Sequence, residues 1–417
     1  CIGEMSVFDG RNPSAYVHAV EPCEVLVIES DTLWLLIDSS HSLCRNLLYF
    51  LSNRLRSGND IVVVSKSREK EQEHAANVDA LTGVNNRRWL LDCGFGPEAH
   101  AHFDPRWLKG ADAVFITHDH IDHIGGAIYA VEAGLPIYAT AQTAKALPPA
   151  AKVNLLPERG VSVIDGVQLT TGRNGHAMGG VWMHFALGEG LFYSGDWSEE
   201  SDWFPLDLPP PAATAILDCS YQRDDVPQTE RFAALDALLD GLEGQVLLPV
   251  PPSGRAGEMA LHLIRRYGHA SVMLDPECQA VLATGLRSGT LGVDAAKIAP
   301  LLARGPLDEA RFLICDTPNA DGGAAWGYVR AWHESGRLGR DAHVVFTGHM
   351  TAHARGICSV PGGYFQRWNV HPPLRDQVRM LERLGAKRFA PAFCTQPEDY
   401  LIEDLGVEVF MHDPVRL

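Results

Sequence analysis

The sequence predicts an α/β fold from three observations. Short apolar runs of strand length recur and end in polar residues, and stretches of helical character follow several of them. One such junction carries four metal-ligand side chains within six residues. Ala113-Val114-Phe115-Ile116-Thr117 reads as a buried strand, and His118-Asp119-His120-Ile121-Asp122-His123 follows it directly. Gly125-Gly126 lets the backbone turn away, and Ile124 to Glu132 reads as a helix. His118 and His120 are two apart, so on an extended segment they point to the same side. Asp122 and His123 fall where the chain curls into the helix and can reach a second, neighbouring position. Imidazole and carboxylate suit zinc, and two adjacent metals can clamp both an attacking water and a leaving oxygen.

The elements before this junction carry other signals. Gly3-Glu4-Met5-Ser6-Val7-Phe8-Asp9-Gly10 and Ser14-Ala15-Tyr16-Val17-His18-Ala19 resemble the second half of a cyclic-nucleotide-binding β-roll. Glu24 to Ile28 would be its next strand and Asp31 to Ile37 a short helix. In that family an arginine before Ser-Ala grips the cyclic phosphate. Pro13 stands there instead and can neither pair with nor donate to a phosphate, so cyclic-nucleotide binding is not expected. Ser42 to about Arg56 carries Leu43, Leu47, Leu48, Phe50, Leu51 and Leu55 at helical spacing, and Lys66 to Ala76 is a charged run that reads as a solvated helix or linker. Asp79-Ala80-Leu81-Thr82-Gly83-Val84-Asn85-Asn86-Arg87-Arg88 resembles the opening of a GGDEF diguanylate cyclase domain, a resemblance that stops near Leu90. No later Gly-Gly pair continues with the acidic pair that cyclase catalysis needs for its metal, so cyclase activity is excluded.

From Leu90 onward the order of polar residues resembles the metallo-β-lactamase fold. Asp92 closes the step Leu90-Leu91, where that family keeps an aspartate that orients the metal loop. His176, in Asn174-Gly175-His176-Ala177-Met178-Gly179-Gly180, matches the third metal motif, and Asp196, after Leu191-Phe192-Tyr193-Ser194-Gly195, matches the aspartate that bridges two metals. The resemblance implies that His118, His120 and His176 hold one zinc, Asp122 and His123 the other, with Asp196 between them.

Later segments resemble the β-CASP branch, which includes RNA-cleaving and end-processing nucleases. Ile216-Leu217-Asp218-Cys219-Ser220-Tyr221 is similar to that group's strand-end acid and tyrosine. Leu247 to Glu258, with Ser253-Gly254-Arg255 at its centre, resembles its strand–loop–helix, where an arginine beside a helix N-terminus is a reasonable phosphate seat. Phe346-Thr347-Gly348-His349 and Ala354-Arg355-Gly356 resemble a further strand and loop, and Val370-His371-Pro372-Pro373 the late histidine before a helix. The resemblance implies that Asp218 and His371 handle protons at the leaving group, with Asp122 the third catalytic residue, and that Ser253, Gly254 and Arg255 bind substrate. One family feature is missing. After the helix Gln377 to Leu384, the strand Lys387-Arg388-Phe389-Ala390 should end in a histidine that completes the second metal site, but Pro391-Ala392-Phe393-Cys394 follows. Cys394 lies about two residues from the aligned position and is not expected to ligate. One or two zinc ions are implied, the second site being depleted.

The implied architecture is an αββα metallo-β-lactamase sandwich with an inserted α/β β-CASP-like domain, preceded by a partial β-roll and a helical linker. Its boundaries are a partial β-roll at 1–40, a linker at 41–78, a GGDEF-like remnant at 79–90, the sandwich core at 91–221, the insert at 222–368 and a return to the core at 369–417. The chain begins at Cys1 inside what resembles a domain, and two truncated families meet near Leu90. A natural fusion, an assembly error and a deliberate chimera all read this way.

Composition sets outer limits. Hydrophobic content of 46% and charged content of 21% over 417 residues describe an ordinary soluble protein of two or three domains. No run of about 18 apolar residues exists, so no membrane partner is expected. Nine scattered cysteines fit reduced thiols in a cytoplasmic protein. With Lys+Arg 35 against Asp+Glu 52, the net charge of −17 repels polyanions globally and argues against extended RNA binding. Local charge from metal and Arg255 still allows a nuclease. The leading expectation is a zinc-dependent phosphodiesterase or ribonuclease acting on RNA ends through metal-activated water. A metallo-hydrolase of a small ester, thioester or lactone and a catalytically silent fusion are the alternatives, and homodimerisation stays open.

Overall fold

The structure is a computed structural model that describes residues 27–41, 45, 88–95, 103–288, 291, 297, 299–300, 310–401 and 405–410. Contacts divide the chain into two compact units, Cys1–Arg87 and Arg88–Leu417. In the first, the described element is a helix, Ser30–Ser39, covering the expected Asp31 to Ile37. The readings on 3–26, 42–44, 46–56, 66–76 and 79–87 lie outside the described residues.

The second unit is built on strand parity. Strands β1 (Trp89–Leu91), β2 (Ala113–Phe115), β3 (Ile137–Thr140) and β4 (Val153–Leu156) form a parallel sheet in that order. Strands β5 (Gly160–Ile164), β6 (Val167–Arg173), β7 (Val181–Phe185), β8 (Leu191–Tyr193) and β9 (Thr214–Asp218) begin a second, mixed sheet. Successive strand side chains alternate between faces, and the burial follows that rule. Ala113 and Phe115 pack with Val181, Met183 and Phe185 between the two sheets. Val114 and Ile116 point the other way, onto Ala127 and Ala130 of the helix Ala127–Glu132. Ala215 and Leu217 face Met380, Leu381 and Leu384 of the helix Leu374–Leu384. Helix, sheet, sheet and helix therefore stack as an αββα sandwich.

Between β9 and the return to the second sheet lies an inserted layer. Strands β10 (Gln245–Pro249), β11 (Val272–Leu274), β12 (Phe312–Cys315), β13 (Ala342–Phe346) and β14 (Gly363–Phe365) run parallel in the order β11-β12-β10-β13-β14. Both faces are covered, as a parallel sheet requires: Val246, Leu248 and Ile314 meet the helices Gln228–Asp240 and Arg255–Tyr267, while Leu247, Leu313 and Val344 meet the helix Gly323–Glu334. The chain then rejoins the second sheet through β15 (Arg388–Ala392) and β16 (Glu408–Val409), β15 lying beside β9. Among the described residues no helix is long and apolar enough to cross a membrane.

Among the element boundaries that differ from expectation, three have a local reason. Strand β2 ends at Phe115 because the Thr117 amide donates to the Asp92 carboxylate instead of a strand. The expected helix Ile124 to Glu132 starts at Ile121 and breaks at Gly125-Gly126, giving Ile121–Ile124 and Ala127–Glu132. The Gly126 amide donates to the Cys93 carbonyl at 2.6 Å, and a Cβ there would lie 2.4 Å from Phe103, so only glycine lets the chain pass so close. Strand β15 continues through Pro391, whose missing N–H needs no partner because β16 pairs only with Arg388 and Phe389.

Candidate metal centre and catalytic cleft

The site residues sit where strands end. Asp92 follows β1, His118 and His120 follow β2, His176 lies between β6 and β7, Asp196 follows β8, and Asp218 closes β9. Asp92 is buried with a left-handed backbone (φ 58°), a costly conformation for a residue with a side chain. Its carboxylate offsets that cost with four contacts. Oδ1 accepts the Thr117 amide at 2.7 Å, and Oδ2 accepts the Thr117 hydroxyl at 2.8 Å and the Tyr193 hydroxyl at 2.6 Å. Oδ2 also meets His123 Nδ1 at 2.8 Å.

These contacts decide the histidine tautomers. The Thr117 hydroxyl gives its proton to Asp92, so toward His118 Nδ1, 3.1 Å away, it must accept. His118 then carries its proton on Nδ1 and presents a bare Nε2. His176 Nδ1 lies 2.7 Å from the Val370 carbonyl, which can only accept, so its Nε2 is bare as well. Both Nε2 atoms stand 3.1 Å from His120 Nδ1, which can donate to one of them at most. Asp196 Oδ2 lies 3.7 Å from His118 Nε2 and 3.5 Å from His176 Nε2. Nitrogens bound to one tetrahedral zinc at ~2.0–2.1 Å stand about 3.3 Å apart, so His118, His120, His176 and Asp196 fit that ion. Burial and the surrounding histidines hold the pKa values of His118 and His176 well below the ordinary imidazole value, which keeps both in the neutral form that ligates.

A second group is less complete. His123 Nε2 lies 3.1 Å from Asp196 Oδ1 and 3.9 Å from Asp122 Oδ2. With its Nδ1 committed to Asp92, a neutral His123 would aim a lone pair at the Asp196 carboxylate, so a proton or a cation belongs between them. Burial opposes charge on His123, but Asp196 and Asp92 outweigh it and hold its pKa well above the ordinary value. Asp122 is half exposed, its side chain 46% accessible, whereas the side chains of His118, His176 and Asp196 are at most 4% accessible. Where a further ligand was expected after β15, the Phe393 ring stands edge-on to His123 at 4.9 Å. Cys394 belongs to none of the ligand groups among the described residues and packs in the hydrophobic layer under β15.

Asp218 and His371, 153 positions apart, meet at 2.7 Å between Oδ2 and Nδ1. His371 Nδ1 is also 3.7 Å from Asp196 Oδ2, and Asp196, Asp218 and His371 form a third set of closely spaced ligand atoms. Burial works against a charged His371, yet Asp218 and Asp196 raise its pKa to about 9.

The insert closes over this cluster. Gly254 packs on the His120 ring: a Cβ there would lie 3.5 Å from its Nε2, an atom that is buried without a hydrogen-bond partner. The Ser253 hydroxyl donates to Asp119 at 3.1 Å and the Ser253 carbonyl accepts the Met178 amide, so Ser253 ties the insert to both metal loops. Arg255 is buried, donates from Nη1 to the Thr347 hydroxyl at 3.3 Å, and has an unpartnered Nε; among the described residues no carboxylate pairs with it. Burial accordingly lowers its pKa. Sequence reasoning passed over Thr117, Tyr193 and the Val370 carbonyl. The first two follow or flank strand ends and were open to inspection, whereas a backbone carbonyl leaves no mark in a sequence.

Gly94 supports the whole loop, since a Cβ there would fall 1.5 Å from the Asp122 carbonyl oxygen. Gly94→Ala is expected to displace Asp122 and His123, lowering both the melting temperature and zinc uptake. Unchanged values in melting and metal titration would show that the loop tolerates the shift.

The family described as a β-lactamase superfamily domain matches residues 87–229. A ribonuclease of Thermus thermophilus is 32% identical over 227 residues, covering 45% of this chain and 51% of that protein. Transcription termination factor FttA of Cenarchaeum symbiosum is 28% identical over 239 residues, covering 43% of this chain and 36% of that one. FttA of Methanocaldococcus jannaschii is 28% identical over 239 residues, covering 45% and 38%. The chain thus spans between about a third and a half of the length of these curated relatives. The β-lactamase superfamily match thus falls on residues 87–229, and the αββα sandwich with its histidine–aspartate cluster agrees with a metallo-β-lactamase fold.

Proposed function

We propose that this protein is a zinc-dependent phosphodiesterase of the β-CASP kind that cleaves RNA, most simply from an end. The observation that carries the reading is Arg255, a buried guanidinium whose chain neighbour Gly254 packs on His120 and that has no ion-pair partner among the described carboxylates. Burying an unpaired charge is costly, and a substrate phosphate would satisfy its fork of donors. One relative is named a ribonuclease, which supports the same substrate class.

In this reading His118, His120, His176 and Asp196 hold one zinc, and Asp122 and His123 offer a weaker second site. Zinc so held supplies Lewis acidity and brings the pKa of a water near 7. The residues of the chain do the rest. Arg255 and the N-terminus of the helix Arg255–Tyr267 seat the phosphate and orient it. Gly254 lets that helix end approach His120 closely. Asp218 keeps the Nδ1 of His371 occupied, so His371 Nε2 is the atom left to give a proton to the leaving oxygen. The domain boundaries at 91–221, 222–368 and 369–417 belong to this reading.

The deciding experiment compares cleavage of 5′-labelled RNA with hydrolysis of a chromogenic ester by the zinc-loaded protein. RNA cleavage that falls sharply in Arg255→Gln is expected. Ester turnover without RNA cleavage would favour the small-ester reading, to which the net charge of −17 points, and turnover of neither would defeat both. Metal analysis is expected to return between one and two zinc ions per chain, nearer one. A firm two that persists in Cys394→Ala would contradict the weakened second group, and none after loading would contradict the first.

A further inference from the structure

We propose that Tyr221 is the positioning residue that sets the rings of His176 and His371 together. The inference rests on the reading of the metal centre given above and extends it. Residues 366–373 have no regular structure, so individual hydrogen bonds and ring contacts hold them. Tyr221 grips this segment at four points. The Arg367 guanidinium lies over its ring, 4.5 Å from the centroid. Its hydroxyl donates to the Trp368 carbonyl at 3.1 Å and accepts the Val370 amide at 3.1 Å. Its ring meets the His371 ring edge-on at 5.1 Å.

Other anchors hold the segment upstream. The Trp368 amide donates to Thr347, and the Asn369 amide donates to Gln228. At Val370 the amide acceptor is the Tyr221 oxygen. That matters because the carbonyl of the same residue accepts His176 Nδ1 at 2.7 Å, and the next residue is His371. One hydroxyl therefore fixes the backbone that selects the ligating tautomer of His176 and delivers His371 to Asp218. Tyr221 touches neither the donor atoms of the metal ligands nor the reacting bond, so it acts through the two histidines.

Tyr221→Phe removes the oxygen and keeps the ring. In the 417-residue chain we expect zinc affinity, measured by competition with a chromogenic chelator, to fall about ten- to a hundredfold, the usual effect of losing a partner of a ligating histidine. In nitrogen-15 spectra of the zinc-free protein, His176 should change from a single Nδ1–H tautomer to a mixture. kcat for RNA should fall while KM holds. Unchanged zinc affinity together with an unchanged His176 tautomer would overturn the proposal. So would a loss of zinc that appears only with loss of cooperative melting, because that is a folding effect. The first two readouts need no substrate. A wild type that binds zinc but cleaves no RNA defeats the proposed function alone, and a wild type that binds no zinc leaves the tautomer measurement to decide on Tyr221.

Discussion

His120→Ala and Asp196→Ala are each expected to abolish the proposed hydrolysis, a loss exceeding the ~10²–10⁴-fold typical of removing one positioned acid or base. His120 Nδ1 is the point on which the bare Nε2 atoms of His118 and His176 converge. Asp196 turns Oδ2 toward that group and Oδ1 toward His123, so its loss empties both sites together. Zinc content should fall with activity in both variants. Pro13→Arg, outside the matched residues 87–229, should leave rate and zinc unchanged. Equal loss of activity in all three, with lowered melting temperatures, would point to a common folding defect and end this division of labour.

Asp218→Ala and His371→Ala should each lower kcat by roughly 10²- to 10⁴-fold. The double variant should be little worse than either single if, as proposed, the 2.7 Å contact joins the two groups in one proton-handling unit. Zinc content should stay at the wild-type value in all three proteins. Multiplicative losses in a double-mutant cycle would show that the residues act separately. The geometry also sets a sharper trial. Asp196, Asp218 and His371 present closely spaced ligand atoms, so zinc loss in His371→Ala would reassign His371 as a metal ligand and remove it from proton transfer.

What could be read from the chain alone was local. The strand starting at Ala113, read as far as Thr117, the two-residue spacing of His118 and His120, and the turn at Gly125-Gly126 depend on covalent geometry within a dozen residues. The order of the candidate ligands at strand ends, and the absence of a histidine after β15, were read instead from the resemblance to the metallo-β-lactamase fold and its β-CASP branch. Side-chain periodicity could not foresee that Asp92 would cut β2 short, because that contact spans 25 positions. Nor could it show that Asp122 is half exposed while His123 is buried, although they are neighbours in one turn.

The pairing of Asp218 with His371 and of His176 with the Val370 carbonyl spans 153 and 194 positions. Sheet order and the path of residues 366–373 decide both, and apolar spacing is blind to them. The same holds for Arg255, whose lack of an ion-pair contact with any described carboxylate depends on what the fold leaves around it. The sequence by itself determined which side chains could ligate, and on which strand ends. Only the tertiary structure decided their tautomers, their burial and their partners. Those properties belong to groups brought within a few Å by packing, where the dielectric is low and a single hydrogen bond settles which nitrogen keeps its proton.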